Sequence, residues 1–159
     1  MPDLLYWDSA CFLAWLRSEE GRVDSCQDVF ALCERGEASI VTSTLTIAEV
    51  LMMGSELRLP AERRTKVRGL FARSYIRTAM LTRPLAEAAQ DVVWDHDVRP
   101  KDAVHVATAI DAKADVLNTF DTGLIGKSGK IGAPPLKIAQ PFVASPELGL
   151  AGRHPQAPA

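Results

Sequence analysis

Five short runs of apolar or β-branched residues punctuate the chain: LLYWD (4–8), SIVTS (39–43), IRTAML (76–81), DVLNTF (115–120) and LKIA (136–139). Each has the length of a strand. The intervening stretches, 9–20, 24–36, 44–57, 61–74, 84–96 and 100–113, read as helices. In the last of them Ala103, Val106, Ala107 and Ile110 follow the i, i+3, i+4, i+7 spacing of a buried face. Strands separated by helices predict right-handed crossovers and an α/β fold, with a mainly parallel sheet covered on both faces. No internal repeat interrupts the pattern. From Pro141 onward Pro, Gly and Ala dominate and the chain ends GRHPQAPA. The expected division is therefore a domain over 1–140 and a poorly packed tail over 141–159.

Open parallel sheets bind ligands outside the carboxyl ends of their strands, so the residues that follow each strand carry the chemical interest. LLYWD ends in Asp8, and DVLNTF is followed at once by Asp121. Glu49 lies in TSTLTIAEVL, just beyond the second strand, and Asp102 lies in the first turn of the helix begun by RPKD. Each acid has a structural explanation. Asp8 suits a helix N-cap, Thr46 to Glu49 fits a capping box, and Asp121 can start a turn or short helix. Asp102, two residues after Pro100, meets the positive end of a helix dipole. Taken jointly, four carboxylates fall on one side of an α/β layer. Their mutual repulsion calls for a cation, and oxygen-only ligands suit Mg²⁺ or Mn²⁺.

Composition narrows the class without naming a chemistry. The chain has 159 residues, enough for one domain with a real core, and its 47% hydrophobic and 24% charged content is that of an ordinary globular protein. A formal net charge of -2 excludes a global basic field, so any nucleic-acid surface has to be local. That local surface exists as Arg58, Arg63, Arg64, Lys66, Arg68, Arg73 and Arg77, set against the single acid Glu62. Val67, Leu70 and Phe71 mark the buried stripe of the same helix, which leaves the basic residues outside. They suit either a solvated helix face or phosphate contacts. Lys127 and Lys130 follow Asp121 closely enough to reach a backbone beside it.

Other candidates carry less. His105, three residues after Asp102, reads as a packed histidine rather than a ligand, and Asp95, His96 and Asp97 as a solvated helix end. Asp115 reads as the start of a strand. Cys11, Cys26 and Cys33 form no C-x-x-C pair, so reduced structural thiols are expected. The N-terminus lacks a basic region and carries Asp3 and Asp8, and no apolar run is long enough to span a membrane, which together predict a cytoplasmic protein. GKS at 126–128 is not a phosphate-binding loop, because that motif needs glycine where Asp121 stands. A dehalogenase-like phosphatase needs a second Asp where the chain has Ala10.

In order, YWDSACFLAWL, STLTIAEVL, RPKDAVHVATAI and VLNTFDTGL resemble the motifs of PIN-domain ribonucleases, most closely the VapC-like toxins of type II toxin–antitoxin pairs. The resemblance runs from Leu4 to about Ala139. It implies a three-layer α/β/α sandwich around a parallel five-stranded sheet, with the first and fourth strands adjacent. It implies that Asp8, Glu49, Asp102 and Asp121 form an acidic metal-binding quartet. In that quartet the three aspartates coordinate directly or through water, and Glu49 orients water or acts as a base. Ser9 and Thr119 match supporting hydroxyl positions. The implied activity is Mg²⁺-dependent or Mn²⁺-dependent hydrolysis of RNA phosphodiesters, leaving 5′-phosphate and 3′-hydroxyl ends. The implied partners are an RNA substrate, a VapB-like antitoxin that occupies the acidic site, and a second copy in a homodimer. The rival is a PIN-fold module that binds RNA or a partner without turnover, against which the complete quartet argues.

Overall fold

All five expected strands form, and they lie in one all-parallel sheet. In this computed structural model, which describes residues 1–52 and 55–143, the strands are β1 (Asp3–Trp7), β2 (Ala38–Ser43), β3 (Ile76–Ala79), β4 (Val116–Asn118) and β5 (Lys137–Ala139). Their order across the sheet is β3-β2-β1-β4-β5. β1 is central, with Leu5 opposite Ile40 of β2 and Tyr6 opposite Leu117 of β4. The expected adjacency of the first and fourth strands therefore holds.

The helices are α1 (Ser9–Leu16), α2 (Val23–Glu34), α3 (Thr44–Glu49), α4 (Arg64–Phe71), α5 (Arg83–His96), α6 (Pro100–Asp111) and α7 (Thr122–Ile125), with one turn of 3₁₀ helix at Ala61–Arg63. Successive strand residues point to opposite faces, and that alternation divides the interior in two. Trp7, Ile40 and Ile76 pack with Phe12, Leu13, Val29, Phe30 and Leu70 beneath α1, α2 and α4. Tyr6, Val41, Leu117 and Ile138 pack with Leu85, Ala89, Val92 and Val106 beneath α5 and α6. Two cores on either side of one sheet make the three-layer sandwich. Each fully buried large side chain contributes about 1.5–3 kcal/mol.

Several element ends differ from expectation, each for a local reason. The helix expected over 44–57 stops at Glu49, because Val50 takes ψ 55° and leaves the helical region. Leu51, whose apolar character extended the prediction, is exposed, and its carbonyl accepts from the Leu59 amide instead. The first helix ends at Leu16 rather than residue 20, where Ser18 takes φ 50°. The helix expected over 61–74 is a 3₁₀ turn followed by α4, and of the turn or short helix expected at Asp121 the chain forms the helix, α7. Of the expected tail, Pro141 is buried and Val143 packs against the first core, while 144–159 lie outside the described residues. Among the described residues no helix is long and apolar enough to cross a membrane.

The connections position the functional side. The chain leaves β1 into α1 on one face, and it enters β4 from α6 on the other. The carboxyl ends of β1 and β4 therefore flank the point where strand order reverses, where open α/β sheets form their binding crevice.

Candidate active site

Asp8 follows β1 directly and caps α1, its Oδ1 accepting from the Cys11 amide at 3.3 Å. Capping and a role in a site are thus compatible, since the same geometry directs the carboxylate to the carboxyl edge of the sheet. Asp8 is only 6% exposed. Burial raises its pKa above the ordinary carboxylate value, and the charge of Asp102 adds to the rise, while His105, the Thr119 hydroxyl and the Cys11 amide oppose it. Asp121 caps α7 in the same manner, with Oδ1 accepting from Gly123 and Leu124 at 2.8 and 3.2 Å. Thr119, fully buried at the end of β4, accepts from the Asp121 amide through its hydroxyl. Asp102 sits in the first turn of α6, as Pro100 foretold.

Glu49 is not the third residue of a capping box. The N-cap of α3 is Ser43, whose hydroxyl accepts from the Leu45 amide, and Glu49 is the last residue of that helix. Thr46 is buried, and its hydroxyl accepts from Thr42. Freed from the backbone, the Glu49 carboxylate reaches across to α1 and α6. Its Oε1 accepts from the Ser9 hydroxyl at 3.0 Å and lies 2.8 Å from Nε2 of His105. Burial pushes the Glu49 pKa up, but the His105 and Ser9 hydrogen bonds and the Lys101 charge outweigh it and hold the group below its usual value. His105 is buried, as expected of a packed histidine, yet it joins the site by contacting Glu49 on one side and Tyr6 on the other.

Asp8, Ser9, Glu49, Asp102 and His105 face one cleft of about 790 Å³. Asp121 faces an adjoining hollow of about 390 Å³, and Asp102 and Arg99 line both. Arg99, a residue that the sequence reading passed over, joins the two halves. Its Nε donates to Asp102 at 2.9 Å and its Nη2 to Asp121 at 2.6 Å. The signal for it was present in RPKD, because the N-cap of a proline-started helix lies three residues before a first-turn acid.

The chain matches the family model described as PIN domain over residues 5–129. The chain belongs to the PIN-domain family. Among solved structures, this PIN domain resembles the Mycobacterium tuberculosis toxin VapC20, described as a sarcin-ricin-loop-cleaving toxin, at 17% identity and a TM-score of 0.56. That match covers 74% of this chain and 89% of the other. It also resembles a toxin–antitoxin complex from Klebsiella pneumoniae at 17% identity and a TM-score of 0.59, covering 88% of this chain and 99% of the other. At that identity the likeness speaks for the fold. No curated protein matches the sequence.

The acids of this PIN domain supply the donor chemistry of a hard divalent cation: four carboxylates and no thiolate. Asp8 is crowded by Asp102, with hydroxyl and amide groups rather than a cationic side chain as its hydrogen-bonding partners. Among the described residues, however, no three acidic, histidine or cysteine side chains are gathered as ligands of one ion, and Arg99 supplies the positive charge at Asp102 and Asp121. The donor set fits the cation, and Arg99 stands as its competitor.

The basic residues divide. Arg64 and Arg68 are exposed and line an apolar groove with Arg58, Leu51, Leu57 and Phe71, and Arg58 also borders the acidic cleft. Arg63 is not on the outer surface as expected, since it is half-buried and donates to the Leu16 carbonyl. Lys66 lies 5.2 Å from the Trp15 ring centre. Lys127 borders the Asp121 hollow and donates to the His96 carbonyl at 2.8 Å, whereas Lys130 is exposed beyond it. Asp95 lines neither the acidic cleft nor the hollow, Asp97 borders the Asp121 hollow, and the Asp115 carboxylate accepts from the Leu4 amide at the start of β4.

Proposed function

We propose that this PIN domain is a divalent-metal-dependent endoribonuclease and the toxin of a toxin–antitoxin pair. The observation that carries the reading is the gathering of Asp8, Glu49 and Asp102 in one cleft at the reversal point of a parallel sheet, with Asp121 joined to them through Arg99. Asp8, Asp102 and Asp121 would hold Mg²⁺ or Mn²⁺, and Ser9 and Thr119 support neighbouring carboxylates. A bound cation supplies charge neutralisation at the scissile phosphate and an acidified water as nucleophile. Arg58, Arg64 and Arg68 offer a run of positive charge leading away from the acids, which suits the backbone of a single strand. Arg63, Lys66, Lys127 and Lys130 are secondary candidates for the same contacts.

The toxin reading draws on the two solved relatives, one described as an RNA-cleaving toxin and the other as a toxin–antitoxin complex. A VapB-like antitoxin and a homodimer belong to the same proposal. One observation favours a module without turnover, namely the neutralisation of Asp102 and Asp121 by Arg99. Incubating an RNA panel with the wild type and with Asp8→Asn, with and without Mg²⁺ or Mn²⁺, separates the two. Metal-dependent cleavage by the wild type alone is expected. Equal cleavage by both proteins, or none under any divalent cation, sinks the nuclease reading.

A further inference from the structure

Four groups form a buried line from the centre of the sheet to Glu49. The Ser43 amide donates to the Tyr6 hydroxyl oxygen at 3.1 Å. That oxygen lies 2.7 Å from Nδ1 of His105, and Nε2 of the same ring lies 2.8 Å from Oε1 of Glu49. Tyr6 is fully buried and His105 is 2% exposed.

Proton bookkeeping gives the line a direction. A tyrosine hydroxyl carries one proton, and a neutral imidazole has one donor nitrogen and one acceptor. An ionised carboxylate can only accept, so the 2.8 Å contact with Glu49 puts the ring proton on Nε2. Nδ1 of the neutral ring is then the acceptor, and the Tyr6 hydroxyl donates to it. With Ser9 donating to the same oxygen, Oε1 accepts two hydrogen bonds from inside the protein. Among the described residues Oε2 meets only Lys101, at 4.0 Å, on the cleft side.

We propose that Tyr6 and His105 are positioning residues for Glu49: they pin Oε1 and leave Oε2 as the single oxygen offered to the cleft. Glu49 then acts by holding water through Oε2, rather than as a bidentate ligand. Sequence reasoning left this choice open, and it took His105 for packing alone. The inference rests on the nuclease reading of the cleft for its consequence in the reaction, but the hydrogen-bond line stands without it.

Two measurements test it. In the wild type without metal, the ring-nitrogen NMR shifts of His105 report which nitrogen carries the proton, and the neutral Nε2–H form is expected. The Nδ1–H form or a doubly protonated ring overturns the proposal. The second is a double-mutant cycle of His105→Leu and Glu49→Ala, read as kcat/KM on a cleaved RNA. Loss of an orienting partner typically costs about 10–100-fold. If His105 acts through Glu49, His105→Leu costs that factor in the wild type and almost nothing once Glu49 is Ala. Losses that multiply in the double variant mean a merely structural role and overturn the proposal. Thermal unfolding checks each protein, and Tyr6→Phe replaces His105→Leu if the latter does not fold. A wild type that cleaves no RNA defeats the nuclease reading alone, and the same cycle read on Mn²⁺ affinity, together with the ring-nitrogen shifts, then decides the positioning.

Discussion

Asp8 shows how one residue serves two demands that pull against each other. It caps α1, yet burial raises its pKa, so the charged form is disfavoured in the fold. The native carboxyl keeps its proton to higher pH than the unfolded one, so stability falls as pH rises from the ordinary carboxylate range through the raised value. Asp8→Asn keeps a good N-cap and removes the charge, and is expected to abolish cleavage while stabilising the metal-free fold by on the order of 1 kcal/mol, roughly 2–4 °C in melting midpoint. A lower midpoint contradicts this account. Arg99 presents the opposite case, a cation lying where an ion would have to displace it. Titration calorimetry of Arg99→Ala with Mn²⁺ is expected to show tighter binding than the wild type, and unchanged or weaker binding would mean that Arg99 does not compete. These two residues also mark the limits of reading from sequence. Asp8 was legible because a strand and a helix meet at it. For Arg99 only the link to Asp102 was legible, in RPKD; its bridge depends on Asp121, 22 positions away, and the fold alone puts the starts of α6 and α7 within reach of one side chain.

At the scale of elements, periodicity foretold the five strands and six of the seven helices among the described residues, since alternation and helical spacing are local properties. The errors fell where tertiary contacts override local preference. α3 stops early because Glu49 is drawn into contact with Ser9 and His105 rather than back to its own helix start. α7 is only four residues long and owes its start to the Asp121 cap, too short a stretch for periodicity to register. α4 behaved as expected at Val67 and Leu70 but turned Arg63 inward. Its outward residues carry a prediction of their own. If Arg64 and Arg68 touch RNA phosphates, changing either to Ala should weaken binding across sequences and reduce the slope of log affinity against log salt by about 0.7 per contact on a single strand. Filter-binding or fluorescence titrations at several salt concentrations measure that slope, and an unchanged slope assigns these arginines to solvent.

Across the whole molecule, two cores share one sheet, and all three thiols lie inside the first of them. Burial pushes Cys26 up to about 12 and Cys33 to about 11, and raises Cys11 well above its usual value. Thiolate is the reactive form, so the native protein should resist iodoacetamide near neutral pH and take up three labels once unfolded in guanidinium. Mass spectrometry counts them, and rapid labelling of the native protein would mean that the first core opens readily. That core is held by side chains as large as Trp7 and Phe12, which is why the composition alone was enough to foretell a stable interior but not which helix covers which face. The bridge from Asp102 through Arg99 to Asp121 has a consequence at this scale as well. The chain carries its own counter-charge for that pair, so the repulsion between these two carboxylates is offset without an ion. A cation taken up by that pair would arrive as an exchange of one positive partner for another.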